Sequence, residues 1–203
     1  MIDLERCWTL LCPVDVTDAV RWLESSPQSW PVVAANKPQR IFGVPSQLDA
    51  AVRQVCGLFD VPVVVHSPML SRILPGTHHA MHADNQRPDW LTRIHIPLIT
   101  NDGCWLSFED EYQTLTTRLA RGDMRACAIL PVPFVDEVEG RRGEVVELAY
   151  DGEYTVGTVR VFNRVHFEVG YAYTFNTLKR HAFGNEGESV RIHFLFDVLR
   201  KDD

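Results

Sequence analysis

Hydrophobic and polar positions follow different rhythms in the first sixty residues and in the rest of the chain. From Ser46 the apolar residues Leu48, Ala51, Val52, Val55, Cys56 and Phe59 recur three and four positions apart, a spacing that gathers them on one side of an α-helix. Ser46, followed three positions later by Asp49, has the form of a capping box at the start of that helix. A shorter helix is expected after Thr17, with Ala19, Val20 and Leu23 facing inward. Ser25-Ser26-Pro27 should end it, because proline has no N–H to continue the hydrogen-bond ladder.

After Gly57 the texture changes to β-branched and aromatic residues interrupted by Gly, Pro, Asn and Asp, the mark of many short strands. The expected strands are Val61 to Val65, Arg93 to Leu98, Cys104 to Phe108, Ala126 to Val132, Glu144 to Ala149, Thr155 to Phe162, Gly170 to Phe175 and Val190 to Leu199. The charged, glycine-containing stretch Asp136 to Arg142 reads as an exposed turn. The fold class is therefore mainly β with flanking α-helices, either a barrel or a two-sheet roll. A chain of 203 residues is expected to form a single domain over 1–203, with 1–60 as a helical support and 61–203 as the β core.

Composition narrows the function classes. The hydrophobic fraction of 45% and charged fraction of 23% are those of a globular protein that folds by itself. A formal net charge of −7 and the lack of any basic run would repel a phosphate backbone, so nucleic acid is not an expected partner. No apolar run approaches the roughly 20 residues that span a bilayer, and the chain begins Met-Ile-Asp-Leu-Glu-Arg, not with a basic then apolar leader. A cytoplasmic protein without membrane contact is expected. The five cysteines, Cys7, Cys12, Cys56, Cys104 and Cys127, are odd in number and include no Cys-x-x-Cys pair. They read as free thiols or small core residues, with Cys104 set in apolar surroundings.

Unusual polar residues concentrate in His78-His79-Ala80-Met81-His82-Ala83-Asp84, in Arg93-Ile94-His95-Ile96-Pro97-Leu98, and in His181-Ala182-Phe183-Gly184-Asn185 followed by Val190-Arg191-Ile192-His193. A His-x-Asp step on an extended segment points imidazole and carboxylate to one face, where both reach one ion. With a second, distant histidine the set becomes two neutral nitrogens and one anionic oxygen. Such a set suits iron(II) and leaves positions open for a bidentate oxo-acid and dioxygen. Arg191, ten residues after His181, offers the planar guanidinium that the far carboxylate of 2-oxoglutarate needs. On the strand from Arg93, alternation turns Arg93 and His95 to one face and Ile94, Ile96 and Leu98 to the other.

Taken together, Arg93 to Leu98, Gly170-Tyr171-Ala172-Tyr173-Thr174-Phe175-Asn176-Thr177, His181 to Asn185 and Arg191-Ile192-His193-Phe194-Leu195-Phe196-Asp197 resemble the aspartyl/asparaginyl β-hydroxylase family, itself similar to the bacterial free-proline hydroxylases. The resemblance spans roughly Gly76 to Val198. It implies a double-stranded β-helix, a jelly-roll or cupin-like barrel, and an iron(II)/2-oxoglutarate dioxygenase that releases succinate and carbon dioxide. It further implies His82 and His181 as iron ligands, Arg191 as the clamp on 2-oxoglutarate, and His95 or Arg93 as further contacts to that co-substrate. Asp84, the carboxylate of the His-x-Asp step, sides with the proline hydroxylases. The implied substrate is an amino acid or short peptide, hydroxylated at an unactivated carbon with Fe(II), 2-oxoglutarate and O2. The 85 residues between His95 and His181 depart from the family pattern as an insertion.

Other readings of the same residues stand beside this one. His78 or His79 could replace His82 as ligand, although only His82 has an acid two residues on. His66, His166 and His193 sit in strand-like apolar contexts that suit hydrogen-bonded structural histidines; His193 shares a face with Arg191. Asn185 and Arg191 could serve a turn and an ion pair. Trp90, Trp105, Tyr171 and Tyr173 fit core or rim positions, and Arg87, Trp90 and Asn176 are weaker candidates for substrate contact. The rival functions are a cupin-type metal dioxygenase or isomerase that ignores 2-oxoglutarate, and a non-catalytic barrel that senses a small acid.

Overall fold

A computed structural model describes residues 2–26, 28–33, 37–84, 87–119, 132–135, 142–150 and 155–201. In chain order the elements are β1 (Trp8–Pro13), α1 (Thr17–Ser25), β2 (Gln39–Phe42), α2 (Asp49–Cys56), β3 (Val63–Ile73), β4 (Thr77–His82), β5 (Trp90–Ile99), β6 (Cys104–Leu119), β7 (Val132–Val135), β8 (Arg142–Tyr150), β9 (Thr155–Val165), β10 (Tyr171–Phe175), β11 (His181–Asn185) and β12 (Arg191–Arg200). The chain forms two compact units, one of Met1–Leu106 with Val165–Asp203, the other of Ser107–Arg164.

The first unit is built on a six-stranded sheet ordered β1-β10-β5-β12-β3-β2, antiparallel at each of its pairings. Opposite it, β4 pairs antiparallel with β11, and β11 in turn neighbours the start of β6. The second unit is an antiparallel meander in which β8 pairs with both β9 and β7. It accounts for most of the insertion between His95 and His181. The expected strand Ala126 to Val132 lies, apart from Val132, outside the described residues, as do Cys127 and, apart from Arg142, the turn Asp136 to Arg142. The two sheets agree with the mainly β expectation, and no closed barrel forms among the described residues.

The assignment of 1–60 to helical support needs correction, because that stretch also supplies both edge strands of the first sheet, β1 and β2. Trp8 to Pro13 pairs with β10 and Gln39 to Phe42 with β3, and tertiary pairing of this kind is invisible to local periodicity. The helix at Ser46 also starts differently from its sequence signature. Ser46 to Leu48 form a single 3-10 turn closed by Leu48 N–H onto the Pro45 carbonyl at 2.8 Å. The Ser46 hydroxyl turns to the Gln47 side chain, so no capping box forms. Asp49 then lies in the first turn of α2, where a carboxylate meets the positive end of the helix dipole. The expected inward residues are in place: Leu48, Ala51 and Val55 are buried, and Val52, Cys56 and Phe59 pack beside them. The helix after Thr17 runs as α1, ends at Ser25, and buries Ala19.

Alternation along β5 and β12 divides the first sheet chemically. Ile94, Ile96 and Leu98 of β5, with Ile192, Phe194, Phe196 and Val198 of β12, join the helices in one apolar core. The other face carries Arg93 and His95 from β5 and Arg191, His193 and Asp197 from β12. Every β12 residue from Arg191 to Leu199 is buried, so those charges are enclosed too. No described helix is long and apolar enough to cross a membrane.

Because Phe196 is completely buried among these side chains, Phe196→Ala is expected to cost about 3–5 kcal/mol of stability. Chemical denaturation of the two proteins measures this, and a difference below about 1 kcal/mol would show that the helix-facing core is not close-packed.

Candidate metal centre

Strand register brings two histidines together from distant parts of the chain. In the β4–β11 pair, His181 stands directly opposite His82, and residues so paired send their side chains to the same face. Their ring centroids are 4.3 Å apart. Between His181 and Phe183 the register slips, so Phe183 faces His79. The extra β4 residue is a bulge that brings both His79 and His82 to the cavity side. Asp84 follows the end of β4 and is tethered by its N–H to the Thr177 carbonyl at 2.9 Å. A carboxylate oxygen then lies 3.7 Å from His82 Nε2. One donor atom each from His82, Asp84 and His181 lies within 4.8 Å of the other two.

Hydrogen bonds fix which nitrogen each histidine presents. His82 Nδ1 donates to the Ala80 carbonyl at 2.8 Å and His181 Nδ1 to the Lys179 carbonyl at 2.9 Å. A carbonyl only accepts, so the proton is on Nδ1 and the lone pair on Nε2. Backbone contacts of this type commonly orient metal-bound imidazoles. Burial, with a smaller contribution from His82, lowers the His181 pKa to about 4, despite the opposing hydrogen bond to Lys179. His181 is therefore a neutral donor at physiological pH.

His82, Asp84 and His181 line one cavity with His79, Phe175 and Phe183. Its opposite wall is the polar face of β5 and β12. Arg191 is 3% exposed and lies over the Phe183 ring at 5.7 Å. Its Nε and Nη2 each come within 3.0 Å of a His193 ring nitrogen, while Nη1 is buried with no partner among the described residues. Burial lowers the Arg191 pKa to about 10, which leaves it a cation at neutral pH. Burial and the neighbouring Arg191 push His95 and His193 well below the ordinary histidine range, so both are neutral. His193 can then accept at one ring nitrogen only. With Nε2 accepting from Arg191 Nε, Nδ1–H is left to point at His95 Nδ1, 3.5 Å away. A buried guanidinium N–H with no acceptor costs on the order of 1–3 kcal/mol, which an anion in the cavity would recover. Two imidazole nitrogens, one carboxylate and an unanswered buried cation fit a divalent iron with a dianionic oxo-acid.

Arg93, which also lines the cavity, is held by two carboxylates. It donates to Asp84 at 2.7 Å through one terminal nitrogen and to both oxygens of Asp197, at 2.9 and 3.2 Å. Burial works against its charge, but Asp197 and Asp84 more than compensate and raise its pKa. Arg93 thus braces the carboxylate of the triad. Asp197, which also accepts from Trp90 Nε1 at 3.3 Å, was missed in the sequence, although its even spacing from Arg191 and His193 places it on their face.

The remaining candidates divide clearly. His95 and His193 line the cavity, as does His79, whose ring stacks on Phe183. His78 faces Glu186 at 3.9 Å, His66 contacts the Ser67 hydroxyl, and His166 bonds the Cys104 carbonyl. Asn185 is held by Ile73 and Ser189 carbonyls, Asn176 by the Leu4 carbonyl, and Arg87 by Asp89. Trp105 is buried at the start of β6, its indole ring packed where a side chain on Gly184 would stand.

No protein-family model matches the sequence, and no curated protein does. Among solved structures, an oxidoreductase of the 2OG-Fe(II) oxygenase family from Burkholderia pseudomallei is similar with a TM-score of 0.52 and 12% identity, over 96% of this chain and 86% of that one. The non-heme alpha ketoglutarate dependent carbocyclase SnoK from nogalamycin biosynthesis is similar with a TM-score of 0.53 and 13% identity, over 98% and 81% of the two chains. These likenesses identify the fold as the jelly-roll on which such oxygenases are built.

The neutral buried histidines set an acid limit on stability. An unfolded chain takes up their protons below about pH 6.5, whereas folded His181 does so only near pH 4. Stability of the metal-free protein is therefore expected to be full above pH 6.5 and to fall by roughly 3 kcal/mol from His181 alone as pH drops to about 4. Denaturation curves at stepped pH values measure this, and a flat profile across that window would contradict the assigned protonation states.

Proposed function

We propose that this chain is an iron(II)- and 2-oxoglutarate-dependent oxygenase that hydroxylates an unactivated carbon of an amino acid, or of an aspartyl, asparaginyl or prolyl residue in a peptide. The observation that carries this reading is the convergence, in one cavity, of the His82, Asp84 and His181 donors with the unpartnered Nη1 of Arg191. The choice of amino acid or peptide draws on the sequence resemblance to the aspartyl/asparaginyl β-hydroxylases, and a cytosolic setting is part of the proposal.

When bound, iron(II) and 2-oxoglutarate supply the oxidising power, consuming dioxygen and yielding succinate, carbon dioxide and a hydroxylated product. The protein contributes placement and exclusion of water. His82 and His181 offer Nε2 lone pairs already aimed by their backbone hydrogen bonds. Arg93 keeps Asp84 turned toward them and, by also holding Asp197, ties the triad to β12. Arg191 receives the far carboxylate of the keto acid, with its own orientation set by His193. Phe175, Phe183, Leu106 and Leu195 provide apolar wall between these groups.

Succinate release with iron(II), ascorbate and a panel of free amino acids and short peptides tests the reaction directly. Arg191→Ala is expected to weaken 2-oxoglutarate binding roughly 10- to 100-fold while sparing metal affinity, the loss of a charge-assisted pair. His82→Ala and Asp84→Ala should weaken the metal itself. Equal loss of metal and keto acid in Arg191→Ala, or a metal affinity that depends on His79 and not on His82, would remove the basis of the assignment.

A further inference from the structure

The lining of the cavity includes a third guanidinium, that of Arg40, alongside those of Arg93 and Arg191. Arg40 belongs to β2, the edge strand of the first sheet. It pairs with Ser71, which itself pairs with His193, so the three side chains form a row across one face. At about 4.8 Å per strand, Arg40 starts roughly 10 Å from His193 in that row. Its neighbour Ile41 packs into the helix-side core, as alternation requires. Unlike the other two arginines, Arg40 is exposed and has no hydrogen-bond or ion-pair partner among the described residues.

The charges around the cavity single out this residue. Arg93 already meets Asp84 and Asp197. With a divalent ion on the triad and a dianionic keto acid reaching Arg191, the two carboxylates and the dianion offset every cation of the lining except one. The uncompensated charge is that of Arg40, on the strand next to β3 and separate from the Arg191–His193 pair. Resting on the oxygenase reading, we infer that Arg40 is the substrate anchor and that the substrate is a small molecule with a free carboxylate, which the Arg40 guanidinium pairs with at the rim of the cavity. The preference is set locally and runs against the net charge of −7 carried by the whole chain, because exposed charges beyond about 10 Å are screened while those lining a cleft are not. Among amino-acid substrates, those with a free terminus are favoured over residues in mid-chain.

The test uses the intact protein with iron(II) and 2-oxoglutarate under anaerobic conditions, where the visible absorption of the iron–keto-acid chelate reports assembly and its shift reports a molecule arriving beside the metal. The probes are free amino acids and dipeptides, each compared with its carboxyl-terminal amide. At least one acid is expected to shift the band, and its amide to need about tenfold higher concentration or more. Arg40→Gln should raise the half-saturating concentration of the acid by about the same factor, without changing that of the amide or the band itself. Arg40→Lys should restore most of the binding. Acid and amide acting alike, indifference to Arg40→Gln, or no acid shifting the band would overturn the inference. Loss of the band in Arg40→Gln would assign the residue to the keto acid instead. A wild-type protein that forms no band at all defeats the oxygenase reading itself, and the anchor with it.

Discussion

A strand buried on both faces yet bearing Arg191, His193 and Asp197 is the constraint from which the site follows. Charges in such a position are tolerable only when each has a partner in place. Asp197 is answered by Arg93, and Arg191 in part by His193. Arg93 has donors left over, and it spends them on Asp84. The enclosed charges of β12 are thereby linked to the triad on the opposite strands. Among the described residues Arg191 Nη1 is buried without a partner, and an external anion there would complete the arrangement.

This linkage also explains a division of labour among similar residues. Arg93 and Arg191 both lie on the polar face of the first sheet, but Arg93 is paired with two carboxylates, whereas Arg191 Nη1 has no partner among the described residues. The backbone tethers on His82 and His181 are equally specific, since each leaves the outward nitrogen unprotonated without a carboxylate to do so. If His82, Asp84 and His181 hold a metal ion, donors already oriented in this way lose little freedom on binding it.

Much of this was legible in the sequence, and what was not has physical reasons. Alternation correctly assigned Arg93 and His95 to one face of β5, and Ile94, Ile96 and Leu98 to the other, because side-chain period depends only on extended backbone. It gave no partner for Arg93, since Asp197 lies over a hundred residues away and meets it only through sheet register. The His-x-Asp step and His181 are brought together as the residue types suggested, but the β4 bulge that also turns His79 inward leaves no signature in the letters. Strands β1 and β2 escaped notice because Trp8 to Pro13 and Gln39 to Phe42 are short and draw their stability from β10 and β3. Arg40 carried no signal at all: an arginine on a four-residue edge strand looks like any other surface charge until the cavity is seen. The Ser46 cap failed in a simpler way, through a 3-10 turn that took the hydroxyl elsewhere.

Whether one pre-oriented cavity holds both a divalent ion and a keto acid is decided by a crystal structure of the protein grown with manganese(II) and 2-oxoglutarate without oxygen. The ion is expected on His82 Nε2, His181 Nε2 and an Asp84 oxygen, with the far carboxylate of the keto acid on Arg191 Nη1. An ion held by other residues, or a keto acid whose far carboxylate lies away from Arg191, would contradict that expectation.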